Sequence, residues 1–119
     1  MEFAVAESTN RPFEEVCASL RDAPASILHG LGTTHLHVDA DRLVSIGPHV
    51  AVLRARWRDG SGQNRLHTQI RVVGVNRGAE PVTELLMIGH GMDDEDRSAL
   101  VAWAREVLAT LAERPRQAA

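Results

Sequence analysis

The chain has no lysine and no tyrosine, one cysteine, and aromatic residues at only 3% of its 119 positions. The lone Cys17 excludes an internal disulfide, and Phe13, Val16 and Leu20 around it set it on the apolar stripe of a helix. Four aromatics, Phe3, Phe13, Trp57 and Trp103, leave little ring surface to line a pocket. There is no basic excess: the net charge of −3 argues against general attraction to nucleic acid. No apolar run approaches the roughly 20 residues of a membrane span. The opening Met-Glu-Phe-Ala-Val-Ala-Glu carries an acid and lacks a basic region followed by an apolar core, so it is unlike a secretory signal and the expected location is cytoplasmic.

With 44% hydrophobic and 24% charged residues the composition is that of one globular domain, large enough to bury most of one sheet face. The domain is expected over residues 1–114, with 115–119 a frayed tail. All 13 basic residues are arginine, which beside the abundant Ala, Val and Gly reads as the coding bias of a GC-rich bacterial genome.

Residues 3–8 read as a strand, and 12–21 as a helix with Asn10 as its cap, Pro12 early, and Glu14 and Glu15 in the first turn. Ala25 to Leu28 suggest one further helical turn before Gly30 and Gly32 bend the chain. Thr34–Val38 and Leu43–Ile46 read as a hairpin with an acidic turn at Asp39-Ala-Asp-Arg. The clearest stretch runs from Val50 to His90, as three antiparallel strands with two tight turns. In the first, Ala51, Leu53, Ala55 and Trp57 oppose Arg54, Arg56 and Arg58; in the second, Leu66, Thr68, Ile70 and Val72 oppose Arg65, His67, Gln69 and Arg71. The third, Val82 to Ile88, has no clean alternation. Asp93 to Asp96 then caps a helix expected from about Asp94 to Glu113, with Leu100, Trp103, Ala104, Val107, Leu108 and Leu111 on one side.

This order resembles the SRPBCC superfamily (START-like, or helix-grip), which includes polyketide cyclases and the birch pollen allergen. The likeness rests on the strand running into Ser8-Thr-Asn-Arg-Pro-Phe-Glu-Glu-Val16, on Val50-Ala-Val-Leu-Arg-Ala-Arg-Trp57, and on a last strand ending at Gly89 before the long helix. It covers nearly the whole chain. The family usually has seven strands, and six are counted here. The resemblance implies an α+β fold in which a curved antiparallel sheet wraps around the C-terminal helix, and it implies binding of lipids, polyketides or other hydrophobic molecules between them, in some members with cyclase or hydrolase chemistry.

Candidate chemistry is sparse. His35 and His37, with Asp39 in the same parity, project to one side of a strand, a spacing that suits either a metal or a solvent-facing role. No serine or cysteine has a histidine at a motif-like spacing, and there is no glycine-rich phosphate loop, so no catalytic residue, metal or cofactor is assigned. The row Arg54, Arg56, Arg58 and Arg71 suits bidentate contact with a phosphate or acidic partner, and equally the solvated outer face of a sheet. The expected ligand-binding residues are Leu53, Trp57, Thr68, Ile70, Leu86, His90, Trp103 and Val107. The apolar ones supply area, and Thr68 or His90 fixes orientation. Two other readings stay open: an interaction or homodimerisation module with a filled core, and a cyclase-like enzyme using His90 as general base.

Overall fold

The computed structural model describes residues 1–22, 28, 36–78, 80–92 and 96–113, with the backbone alone at 76 and 77. The elements run β1 (Glu2–Thr9), α1 (Phe13–Asp22), β2 (His37–Ala40), β3 (Val44–Gly47), β4 (Val50–Arg58), β5 (Asn64–Arg77), β6 (Glu80–Gly91) and α2 (Arg97–Ala112). Of the expected turn at 25–28 only the buried Leu28 is described; the glycines at 30 and 32, the start of the first hairpin strand at 34–35, the acids 93–95 and the tail 115–119 lie outside the described residues. The fold is the expected α+β helix-grip: one antiparallel sheet with the C-terminal helix against its concave face.

Period-two patterning builds the sheet. In β4, Ala51, Leu53, Ala55 and Trp57 are buried and Arg54 and Arg56 exposed, and the same two faces continue in β5 through the pairs Leu53–Ile70, Ala55–Thr68 and Trp57–Leu66. The turn joining them is held by the Asp59 carboxylate, which accepts the backbone N–H groups of Ser61 (2.9 Å) and Gln63 (3.1 Å), and Gly62 supplies the positive φ of 86°.

The sheet order is β1-β6-β5-β4-β2, with β3 also on β4. This corrects the expected hairpin between β2 and β3. Both strands run antiparallel along the same edge of β4, β2 through Ala40–Ala55 and β3 through Val44–Val52. Three residues of the edge, 41–43, face two of β4, 53–54, so they bulge rather than reverse, and the Asp41 N–H still bonds the Arg54 carbonyl at 2.9 Å. Asp39 and Asp41 face solvent beside Arg58 and Arg56, and the charge that reads as a turn belongs to an edge strand.

In β6 the buried side is Thr83, Leu85, Met87, Gly89 and Gly91. Phe3 of β1 lies over Gly89: a Cβ there would come within 2.1 Å of the ring. Asp96 caps α2 by accepting the N–H groups of Ser98 and Ala99, as expected for the last of the acidic run. The helix packs over β1 and β6, burying Leu100, Trp103, Ala104, Val107, Leu108 and Leu111.

Helix α1 begins later than its sequence suggests. The first helical bond runs from the Val16 N–H to the Pro12 carbonyl, so Pro12 is the capping residue and Asn10 stands two positions ahead of it. Between them Arg11 turns inward. The residue is 5% exposed, and its guanidinium donates to the Leu111 carbonyl (2.9 Å), to Ser19 Oγ (2.7 Å) and to Glu15 Oε1 (2.9 Å). Thr9 Oγ1 donates to the Ala112 carbonyl and Thr83 Oγ1 to the Arg11 carbonyl, so one polar cluster ties β1, β6, α1 and the end of α2 together. Cys17 is buried in α1, and burial, with help from Glu14, pushes its thiol up to about 11.

Candidate functional site

Six of the eight expected binding residues come together on the concave side. Leu53, Trp57, Thr68, Ile70, Trp103 and Val107 are all buried there. A row of small residues crosses the same face, Ala40, Ala55, Thr68 and Gly89 on four adjacent strands, with Phe3 opposite Gly89 on the next. Beside it Trp103 reaches from α2 to Trp57 on β4. The two indoles meet edge to face, ring centres 5.3 Å apart, a geometry worth about 0.5–1.5 kcal/mol beyond burial.

One polar atom at this corner is unsatisfied. Trp103 Nε1 is buried with no hydrogen-bond partner. An orphaned donor costs about 1–3 kcal/mol, since water has been removed and nothing replaces it. The sequence places Trp103 on the apolar stripe of its helix; its ring neighbour Trp57 is itself a donor and offers that N–H no acceptor.

Leu86 and His90 are not part of that group. The run Val82-Thr-Glu-Leu-Leu-Met-Ile is apolar in both parities, and pairing with β5 decides between them: Met87 falls opposite buried Ile70 and Ile88 opposite half-buried Gln69. Leu86, Ile88 and His90 therefore share the outer face of the sheet. His90 is exposed, its Nδ1 3.6 Å from Glu2 Oε1.

That outer face carries a row of five ionisable residues on five adjacent strands: Asp39, Arg56, His67, His90 and Glu2. Two residues along lie Arg54, Gln69 and Ile88 in register. A depression of about 500 Å³ is bounded by Asp41, Arg54, Arg56, His67, Gln69, Ile88 and His90, and a second of about 490 Å³ adjoins it beyond the histidines. Its signal in the sequence is the two-residue spacing of Arg54 and Arg56, which becomes a site only when the turn at residues 59–62 fixes their partners. His37 and Asp39 are exposed on β2, while His35 lies outside the described residues. Among the described residues, no three or more His, Cys, Asp or Glu side chains are grouped to hold a metal ion, and no helix is long and apolar enough to cross a membrane.

No protein-family model matches the chain, and no curated protein matches it. Solved structures do. The Mll3558 protein from Rhizobium loti is 16% identical, with 94% of each chain covered and a TM-score of 0.61. An uncharacterised protein from Rhizobium leguminosarum is 9% identical over 94% of this chain and 91% of its own, with a TM-score of 0.59. DynU16, from the dynemicin biosynthetic locus, is 17% identical with a TM-score of 0.57; the match spans 93% of this chain and 45% of DynU16. At these identities the likeness is one of fold: the chain shares a compact α+β architecture with these proteins.

Proposed function

We propose that this protein is a cytoplasmic, SRPBCC-like binder of a small hydrophobic molecule, lipid-, polyketide- or aromatic-like, held between the sheet and α2 at the Trp57–Trp103 corner. The observation that carries the reading is the buried, unpartnered Nε1 of Trp103. A ligand with a flat apolar body and one carbonyl or ether oxygen supplies the missing acceptor, and Leu53, Ile70 and Val107 supply apolar area around it. Thr68, in the row of small residues, offers a second polar contact. His90 and Leu86, on the other face, take no part. DynU16 gives modest support, as a fold neighbour from a biosynthetic locus.

The test is native mass spectrometry on protein purified from its own host, followed by thermal shift with fatty acids and aromatic polyketides on wild type and Val107→Trp. The reading expects extra mass that disappears on denaturation, and a Tm rise that Val107→Trp removes. A clean apo mass with no Tm change for any compound overturns it. Exposed Val44 and Ile46 on the β3 edge favour a second reading, a dimerisation module with a filled core, which a concentration-dependent dimer mass together with the clean apo result establishes.

A further inference from the structure

We propose that the outer face of the sheet holds a second site, independent of the concave corner, for a phosphate monoester gripped by Arg54 and Arg56 with His67 and His90 beside them. The two arginines stand two residues apart on one strand, about 6.6 Å along it, so their side chains emerge side by side on the same face. Two neighbouring like charges repel, and their compensation is meagre. The Arg54 side chain has no ion-pair or hydrogen-bond partner among the described residues, and Arg56 meets a carboxylate, that of Asp41, only at 3.9 Å. Other arginines are provided for: Arg11 uses three nitrogens on three acceptors, Arg97 Nε donates to the Glu2 carbonyl at 3.1 Å, and Arg71 Nε donates to Gln69 Oε1 at 2.8 Å. In a chain of net charge −3 this is local design rather than a basic surface.

The surroundings fit a small ester better than a bare ion. Across the strands Gln69 faces Arg54 and His67 faces Arg56, and the next strand adds Ile88 and His90, giving a grid two residues deep and three strands wide. Guanidinium forks and imidazole N–H groups donate to phosphate oxygens, and half-buried Ile88 offers an apolar wall to the organic half. The depression of about 500 Å³ has room for both. Asp41 at the rim is the group the phosphate displaces from Arg56. Glu2 at the far end lies nearer His90 than the arginines in the row, and it sets that limit of the site.

The experiment is an amide-shift NMR titration of the whole chain with inorganic phosphate, phenyl phosphate and benzoate, repeated on R54Q/R56Q and on the control Arg105→Gln, whose side chain is exposed on α2. The site predicts saturable shifts confined to residues 54–56, 67–69 and 88–90. It predicts phenyl phosphate binding at least about tenfold more tightly than phosphate or benzoate, and a loss of about tenfold or more in R54Q/R56Q but none in Arg105→Gln. Sedimentation with phosphatidylcholine vesicles containing phosphatidic acid separates the sources. Retention that needs both arginines assigns the site to a lipid headgroup; saturable phenyl phosphate binding without retention assigns it to a soluble ester. Shifts that stay linear, spread over other arginines, or survive in R54Q/R56Q overturn the proposal. The variants are surface changes, and an unchanged amide spectrum elsewhere confirms that they fold.

Discussion

Arg11 donates from its guanidinium to the main-chain carbonyl of Leu111 at 2.9 Å, a bond that spans 100 residues of sequence. It places a positive charge on the last turn of α2, where the helix dipole is negative, and it does so inside the protein, where screening is weak. Replacement by Met leaves that carbonyl and the Ser19 hydroxyl without this partner. The expected cost is about 2–4 kcal/mol, read as a lower urea midpoint. Arg11→Lys recovers part of it, since an ammonium keeps the charge but lacks the planar fork. A loss below about 1 kcal/mol for Arg11→Met contradicts this account.

Gly89 is glycine because Phe3 occupies the space of a side chain, with ring carbons 2.1 Å from where a Cβ would stand. Gly89→Ala is expected to destabilise by about 1–3 kcal/mol as overpacking forces the ring or strand aside. Made in a Phe3→Ala background the same change should cost far less. A double-mutant cycle by chemical denaturation reads the coupling, and strict additivity would mean that the ring yields freely.

The Cys17 thiol, pushed up to about 11 by burial, keeps its proton in the folded state above the pH at which an unfolded thiol has lost its own. The unfolded state then binds fewer protons, so stability falls with rising pH between about 8.5 and that raised value, by roughly 1.4 kcal/mol per unit at most. Cys17→Ala removes this slope at the expense of a small cavity. Alkylation of wild type by iodoacetamide at pH 8 should proceed only as fast as the protein opens, and rapid labelling would show an accessible thiolate.

Asp59 has the opposite sign. Hydrogen bonds from Ser61, first its hydroxyl and then its backbone, hold the Asp59 carboxyl below the usual range. A depressed acid stabilises the folded state above the unfolded value of about 3.9, and the contribution disappears as pH falls through the lower folded one. The gap in urea midpoint between wild type and Asp59→Ala should be constant near neutrality and close in acid. A gap that does not change with pH would assign the effect of Asp59 to chain geometry alone.

Much of the architecture is legible in the sequence wherever one period dominates. Alternation in Val50–Arg58 assigns both faces of β4, and the apolar spacing from Leu100 to Leu111 assigns the buried side of α2, because in each the polar positions leave no competing pattern. Leu86 and His90 are misplaced because the β6 run is apolar in both parities, and only its partner strand breaks the tie. The β2–β3 hairpin fails for a related reason: Asp39 and Asp41 have the composition of a turn, but their acidity is a property of an exposed edge. Arg11 is invisible in sequence, since a charged residue beside a proline reads as surface until the end of α2 is brought against it.

The contact between Trp57 and Trp103 gives the molecule a built-in optical reporter. These are the only two tryptophans in the chain and it has no tyrosine, so nearly all intrinsic emission and near-ultraviolet dichroism arises at one corner, where helix meets sheet. A spectral change therefore reports the separation of α2 from β4 rather than the average state of the fold. Set beside far-ultraviolet dichroism, it distinguishes a helix lifting away from the sheet from a chain that has lost its secondary structure.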